Sequence, residues 1–78
     1  MATLTTSLNT AFTPATGDFI VQSSGGLAAL QRRNTSGAAW VEVGALSGNQ
    51  AMVVDNPVAG AQYQFVAVIG TPSVQADQ

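Results

Sequence analysis

The chain has 78 residues and a formal net charge of −2, from two arginines and four acids, and it contains no Cys, His or Lys. So short a chain buries only about 60% of the surface its unfolded form exposes, and without Cys or His the disulfide and zinc supports of small scaffolds are excluded. Two adjacent arginines cannot neutralise the several phosphates that drive nucleic-acid binding, and no apolar run reaches the ~20 residues of a membrane helix.

The N-terminal stretch is Thr-rich, with Leu4, Thr6 and Leu8 alternating with Thr5 and Ser7. It lacks a basic region followed by a long apolar run, so no signal peptide is expected and the product is expected to be used without export. Residues 1–16 read as an edge strand or an extended arm ahead of a single β domain over 17–78. Pro14 and Gly17 turn the chain into Asp18–Gln22, a β-branched and aromatic strand with Phe19 and Val21 on one face and Ile20 on the other.

After Ser23-Ser24-Gly25-Gly26, a turn signal, comes 27–33. It lacks β-branched residues and by propensity could be a helical turn, but its place between two short turns favours a strand. Ala28, Leu30 and Arg32 then share one face, and Ala29, Gln31 and Arg33 the other. Asn34-Thr35-Ser36-Gly37 is the next turn. The strand over 39–46 carries Trp40 near its start, with Val41 and Val43 opposite Glu42. Ser47-Gly48-Asn49 leads into a short strand around Met52-Val53-Val54, and Asn56-Pro57-Val58-Ala59-Gly60 makes a corner. The strongest strand signal spans 62–69, where Tyr63, Phe65, Ala67 and Ile69 oppose Gln64, Val66 and Val68. Gly70-Thr71-Pro72 stops it, and 73–78 reads as a last strand. Turn signals about every ten residues, separating six to seven short strands, mark an all-β chain folded as a small antiparallel β-sandwich, immunoglobulin-like or jelly-roll-like.

The corner Asn56-Pro57-x-x-Gly60-x-x-Tyr63-x-Phe65 resembles the one before the penultimate strand of fibronectin type III domains, where a Tyr hydroxyl turns back to upstream backbone. The alternative is a surface Tyr used for binding. Trp40 is expected in the core against Tyr63 and Phe65; if exposed, it is the best platform for stacking a sugar. Arg32 is expected to pair with Glu42 or Asp55, and Arg33 to face outward as solvated charge or as a contact residue. Serine and threonine abound, but neither His nor Lys is present to act as their base. The acids are scattered without a calcium-loop pattern, and Gly25-Gly26 lacks the Lys-Ser/Thr of a phosphate loop. No enzymatic activity and no cofactor are expected.

Charged residues make up 8% of the chain, against a typical ~25%. Neutral polar residues replace them, and burying Gln or Thr costs less than burying Lys or Glu. The chain is therefore expected to work as a contact surface.

Taken together, Phe19-Ile20-Val21, Gly26, Leu30-Gln31-Arg32, Gly37-x-x-Trp40-x-x-Val43, Pro57-x-x-Gly60-x-x-Tyr63-x-Phe65 and Val74 form a pattern similar to that of a group of small tailed-phage virion proteins. It spans about residues 18–76. The chain departs from it in having Asn34-Thr35-Ser36-Gly37 where an acidic turn is usual. The resemblance implies a β-sandwich accessory protein, made in the host cytoplasm and carried on the capsid exterior. As a decoration or cement protein it would bind the major capsid protein and itself, as a homotrimer. The alternative is a tail, neck or fibre-associated module that contacts a host glycan or another virion protein. Nucleic acid and membrane are not expected partners. Leu4, Leu8 and Phe12 of the arm, and Arg33, Gln64, Val66 and Val68, are the expected protein-contact residues. The arm would reach across to a neighbour and add a strand to its sheet.

Overall fold

A computed structural model describes residues 2–78 as seven antiparallel strands in two packed sheets, the small β-sandwich expected from the turn spacing. The strands are β1 (Thr3–Thr5), β2 (Gly17–Ser24), β3 (Leu27–Arg33), β4 (Val41–Ser47), β5 (Gln50–Asn56), β6 (Gln62–Ile69) and β7 (Ser73–Asp77). The four-stranded sheet has the order β1-β7-β2-β5 and the three-stranded sheet β4-β3-β6. In an immunoglobulin sandwich the last strand lies beside the penultimate one. Here β7 crosses to the other sheet and lies between β1 and β2.

The core arises from alternation. Phe19 and Val21 of β2, Ala28 and Leu30 of β3, Tyr63 and Phe65 of β6, and Val74 and Ala76 of β7 are buried between the sheets. At one end the aromatic rings pack on each other, with Phe19 edge-on to Tyr63 at 4.9 Å between centroids. Gly26, at φ +85°, carries the chain from one sheet to the other. A Cβ there would overlap the Ile69 carbonyl oxygen, so no side chain fits.

Besides the irregular register of β1 on β7, bulges in β4 and β6 break strict alternation. In β4, Gly44 pairs with Leu30 and Glu42 with Gln31, leaving Val43 as the extra residue. In β6, Ile69 pairs with Leu27 and Ala67 with Ala28, leaving Val68 unmatched. Each extra residue turns the next side chains of its strand to the opposite face. The expectation that Ile69 shares the Tyr63 face is therefore corrected: Ile69 is 63% exposed.

Of the two alternatives for the N-terminal segment, its first residues take the edge strand, as β1 beside β7, and the segment does not stand away from the domain as a free arm. The edge-strand pattern expected through Leu8 ends after Thr5. Ser7 N–H turns back to Thr5 Oγ1 (3.3 Å), and Asn9 takes a left-handed φ of 59°. The segment then crosses to the three-stranded sheet. Asn9 N–H donates to the Phe65 carbonyl, and Phe12 exchanges both backbone hydrogen bonds with Tyr63. Phe12 is a core residue, and Leu4 and Leu8 pack against the core.

Candidate interaction surface

The outer face of the three-stranded sheet gathers most of the expected contact residues that remain available. Its geometry comes from the pairing of β3 with its two neighbours, which arranges side chains in rows. Ala45, Ala29 and Val66 form one row, Glu42, Gln31 and Gln64 the next, and Arg33 and Gln62 a third. Leu27 and Ile69 pair beyond the alanine row. The polar groups are held by each other: Gln64 Nε2 donates to Gln31 Oε1 (2.7 Å), and Arg33 Nε to Gln62 Oε1 (2.8 Å). Long side chains fixed in this way lose less rotamer freedom when a partner arrives.

Trp40 corrects an expectation. It precedes β4 and is half-buried at the surface, with the Arg33 guanidinium 4.2 Å above its ring centroid. Phe12 supplies the ring expected of Trp40 in the core, packing 6.0 Å from Tyr63 and 5.9 Å from Phe65. The Arg33–Trp40 stack is worth about 0.5–1 kcal/mol at an exposed site. Beside it, Arg32, Asn34, Ala38, Val41 and Val43 line a shallow hollow of about 220 Å³.

Arg32 faces inward and pairs with neither Glu42 nor Asp55. Its Nε donates to the Tyr63 hydroxyl (3.1 Å) and its Nη1 to Asn34 Oδ1 (2.8 Å). Tyr63, 1% exposed, donates its hydroxyl proton to Asn56 Oδ1 (3.2 Å). Asn56 in turn donates to the Pro14 and Ala15 carbonyls (3.1 and 3.2 Å). Tyr63 therefore pins the corner at Asn56, but the expected bond from its hydroxyl to upstream backbone is replaced by one to the Asn56 side chain, and Asn56 alone reaches the backbone, at Pro14 and Ala15. This chain of bonds ties β3, β5, β6 and the N-terminal segment together, leaving no buried side-chain polar atom unpaired among the described residues.

Of the seven expected contact residues, Arg33, Gln64 and Val66 share this outer face. Val68, at the bulge, is 57% exposed near its end. Leu4, Leu8 and Phe12 lie elsewhere and are engaged in the fold. Gln31, which alternation already set on the Arg33 face, joins it together with Gln62 and Trp40, none of them among the expected contact residues. Gln62 could have been found by placing β3 and β6 in register; Trp40 could not, because its position depends on where β4 begins.

Charge divides unevenly between the two outer faces. Asp18 and Asp55 pair directly across β2 and β5, and Asp77 of β7 pairs with Ile20, which shares the Asp18 face. Three of the four acids thus lie on the four-stranded sheet. They form no group able to hold a metal ion among the described residues. The outer face of the three-stranded sheet has Glu42 and Arg33, which balance.

Compared with family models, curated proteins and solved structures, the chain matches none.

Proposed function

We propose that the chain is a structural protein of a tailed-phage particle, a decoration or cement protein on the capsid exterior that works by contact. The observation that carries this reading is the charge-balanced outer face of the three-stranded sheet, with its alanine–valine row, its paired glutamines and its Arg33–Trp40 stack. Such a face loses little on desolvation, and Arg and Trp are enriched where proteins meet. The molecule extends 30 × 28 × 16 Å, so the roughly 800 Å² per partner of a standard interface would take up nearly the whole of this broad side, loops included. The acidic sheet on the other side would point to solvent. The Leu30-Gln31-Arg32, Gly37-x-x-Trp40 and Pro57-x-x-Gly60-x-x-Tyr63 pattern supports the phage assignment. Docked on the major capsid protein, many copies would bridge neighbouring subunits, and repetition would turn a modest affinity into large net stabilisation. The test is mass spectrometry of gradient-purified particles from a producing culture. The chain should band with them in fixed ratio to the major capsid protein, and its absence from intact particles overturns the reading.

The surface position of Trp40 supports a second reading, a tail, neck or fibre module that meets a host glycan. The hollow beside it offers Asn34 and Arg32 as polar partners, although Arg33 covers one face of the ring. Saturable change of tryptophan emission on titration with a host polysaccharide would favour it. Emission unchanged at millimolar sugar would remove it.

A further inference from the structure

Sheet edges are natural pairing sites, and proteins protect those they do not use. Three of the four edges here are protected. β1 has three residues and an irregular register. β6 is covered along its first half by Asn9 and Phe12 and bulges at Val68. β4 bulges at Val43. Among the described residues β5 is neither short, bulged nor covered, and its one charged side chain, Asp55, stands near its end. Its seven residues pair with β2 in unbroken register from Gly17–Asn56 to Ser23–Gln50. It contains no Pro and no Lys, and Val53 at its centre is 62% exposed. Met52 and Val54 pack against the core but stay half-buried, because among the described residues no strand lies beyond β5 in its sheet.

We infer that β5 is the self-association edge of this chain, pairing antiparallel with β5 of a second copy about a two-fold axis at Val53. The sequence of the strand is self-complementary in that register. Centring on Val53 is the arrangement that pairs all seven residues, and it sets Val53 against its own copy, Met52 against Val54, Ala51 against Asp55 and Gln50 against Asn56. No like charges meet: the two Asp55 side chains stand about 14 Å apart, given about 3.4 Å per residue and 4.8 Å between strands. That exceeds the ~8 Å Debye length at physiological salt. Aliphatic pairing at Val53 and new cover for Met52 and Val54 supply the apolar contact. The association is two-fold, in place of the threefold one that the phage resemblance implies.

The axis stands perpendicular to the joined sheet, so the acidic faces of both copies fall on one side and both three-stranded sheets on the other. The pair would present two contact faces in one direction. This arrangement does not depend on what those faces bind, so its test needs no capsid.

The chain has no Cys, so Val53→Cys introduces a single thiol. Paired strands bring opposite Cα atoms within disulfide range, and copper–phenanthroline oxidation should convert this variant to a covalent dimer. The Ala51→Cys variant, whose opposite residue is Asp55, should cross-link far less. Light scattering should give the unmodified chain a mass twice its 7.9 kDa. Val53→Lys and Val53→Glu, changes at an exposed position, should each give monomers with an unchanged β circular-dichroism spectrum, and mixing the two should restore the dimer. A wild-type monomer or trimer overturns the inference, as does a Val53→Lys variant that remains dimeric or equal cross-linking of both cysteine variants.

Discussion

Phe12 and Tyr63 exchange backbone hydrogen bonds of 2.9 Å in both directions, and their rings stack at 6.0 Å. A residue near the start of the chain is thereby built into the edge of β6 and into the core. Removing residues 1–16 should abolish cooperative unfolding, because it strips Phe12, β1 and the carbonyls that hold Asn56. Phe12→Ala should cost about 3–5 kcal/mol. A chain of this length holds only about 4–12 kcal/mol in total. Urea denaturation of the two variants checks this. A deletion variant that keeps the wild-type β spectrum and midpoint would return the segment to the status of a free arm.

The Arg32–Tyr63–Asn56 chain should behave as one unit. Tyr63→Phe leaves Arg32 Nε and Asn56 Oδ1 without their partner, and Asn56→Ala frees the Pro14 and Ala15 carbonyls. Each should cost about 1–3 kcal/mol. The double variant should cost less than the sum, because the Tyr63–Asn56 bond is lost in both single changes. Strict additivity in the thermodynamic cycle would mean the two groups act independently.

Asp18 and Asp55 lie directly opposite each other, an arrangement that costs a sheet about 0.2–1 kcal/mol. Asp55→Asn should therefore raise stability by about that amount at neutral pH. The gain should shrink as salt screens the repulsion in the parent chain. Thermal melts at low and high salt measure both effects, and a variant less stable than its parent at low salt would contradict a repulsive pair.

Trp40 beneath Arg33 should emit at a wavelength between those of a core and a fully exposed tryptophan. Arg33→Ala should shift the emission further to the red and increase quenching by acrylamide. A blue emission maximum insensitive to acrylamide would put the ring back in the core.

Gly26→Ala should destabilise by about 1–3 kcal/mol or more, since the methyl group meets the Ile69 carbonyl and the left-handed backbone resists any side chain. Gly25→Ala, beside it with open space around the Cβ position, should cost less. Equal losses in differential scanning calorimetry would mean that the overlap with Ile69 adds nothing to the backbone strain.

The sandwich was legible because Gly, Pro and Asn punctuate short β-branched runs, and alternation set Phe19 with Val21, Ala28 with Leu30, and Tyr63 with Phe65 on common faces, which the structure buries. Alternation failed at Val43 and Val68, where a bulge adds one residue against a partner strand and composition gives no sign of it. Trp40 was misplaced for a related reason. A large aromatic near a strand reads as core, but β4 begins only at Val41, and Phe12 from a distant segment fills the space. Phe12 itself looked like part of an arm because its partner, Tyr63, lies 51 positions along the chain. Of the proposed contact face, Arg33, Gln64 and Val66 emerged from strand parity. Parity also set Gln31 beside Arg33, but that Gln31 meets Gln64 and Arg33 meets Gln62 required the register between β3 and β6, which pairing sets.

Co-sedimentation with empty capsids lacking the chain addresses the contact face most directly, comparing wild type with Val66→Lys, which places a charge in the alanine–valine row. The Asp18→Asn variant, altered on the acidic sheet, is the control. Wild type and Asp18→Asn should pellet with the shells to the same saturation, while Val66→Lys, folded by circular dichroism, should stay in the supernatant. Wild type left in the supernatant, or Val66→Lys bound as tightly as wild type, would contradict the assignment of this face.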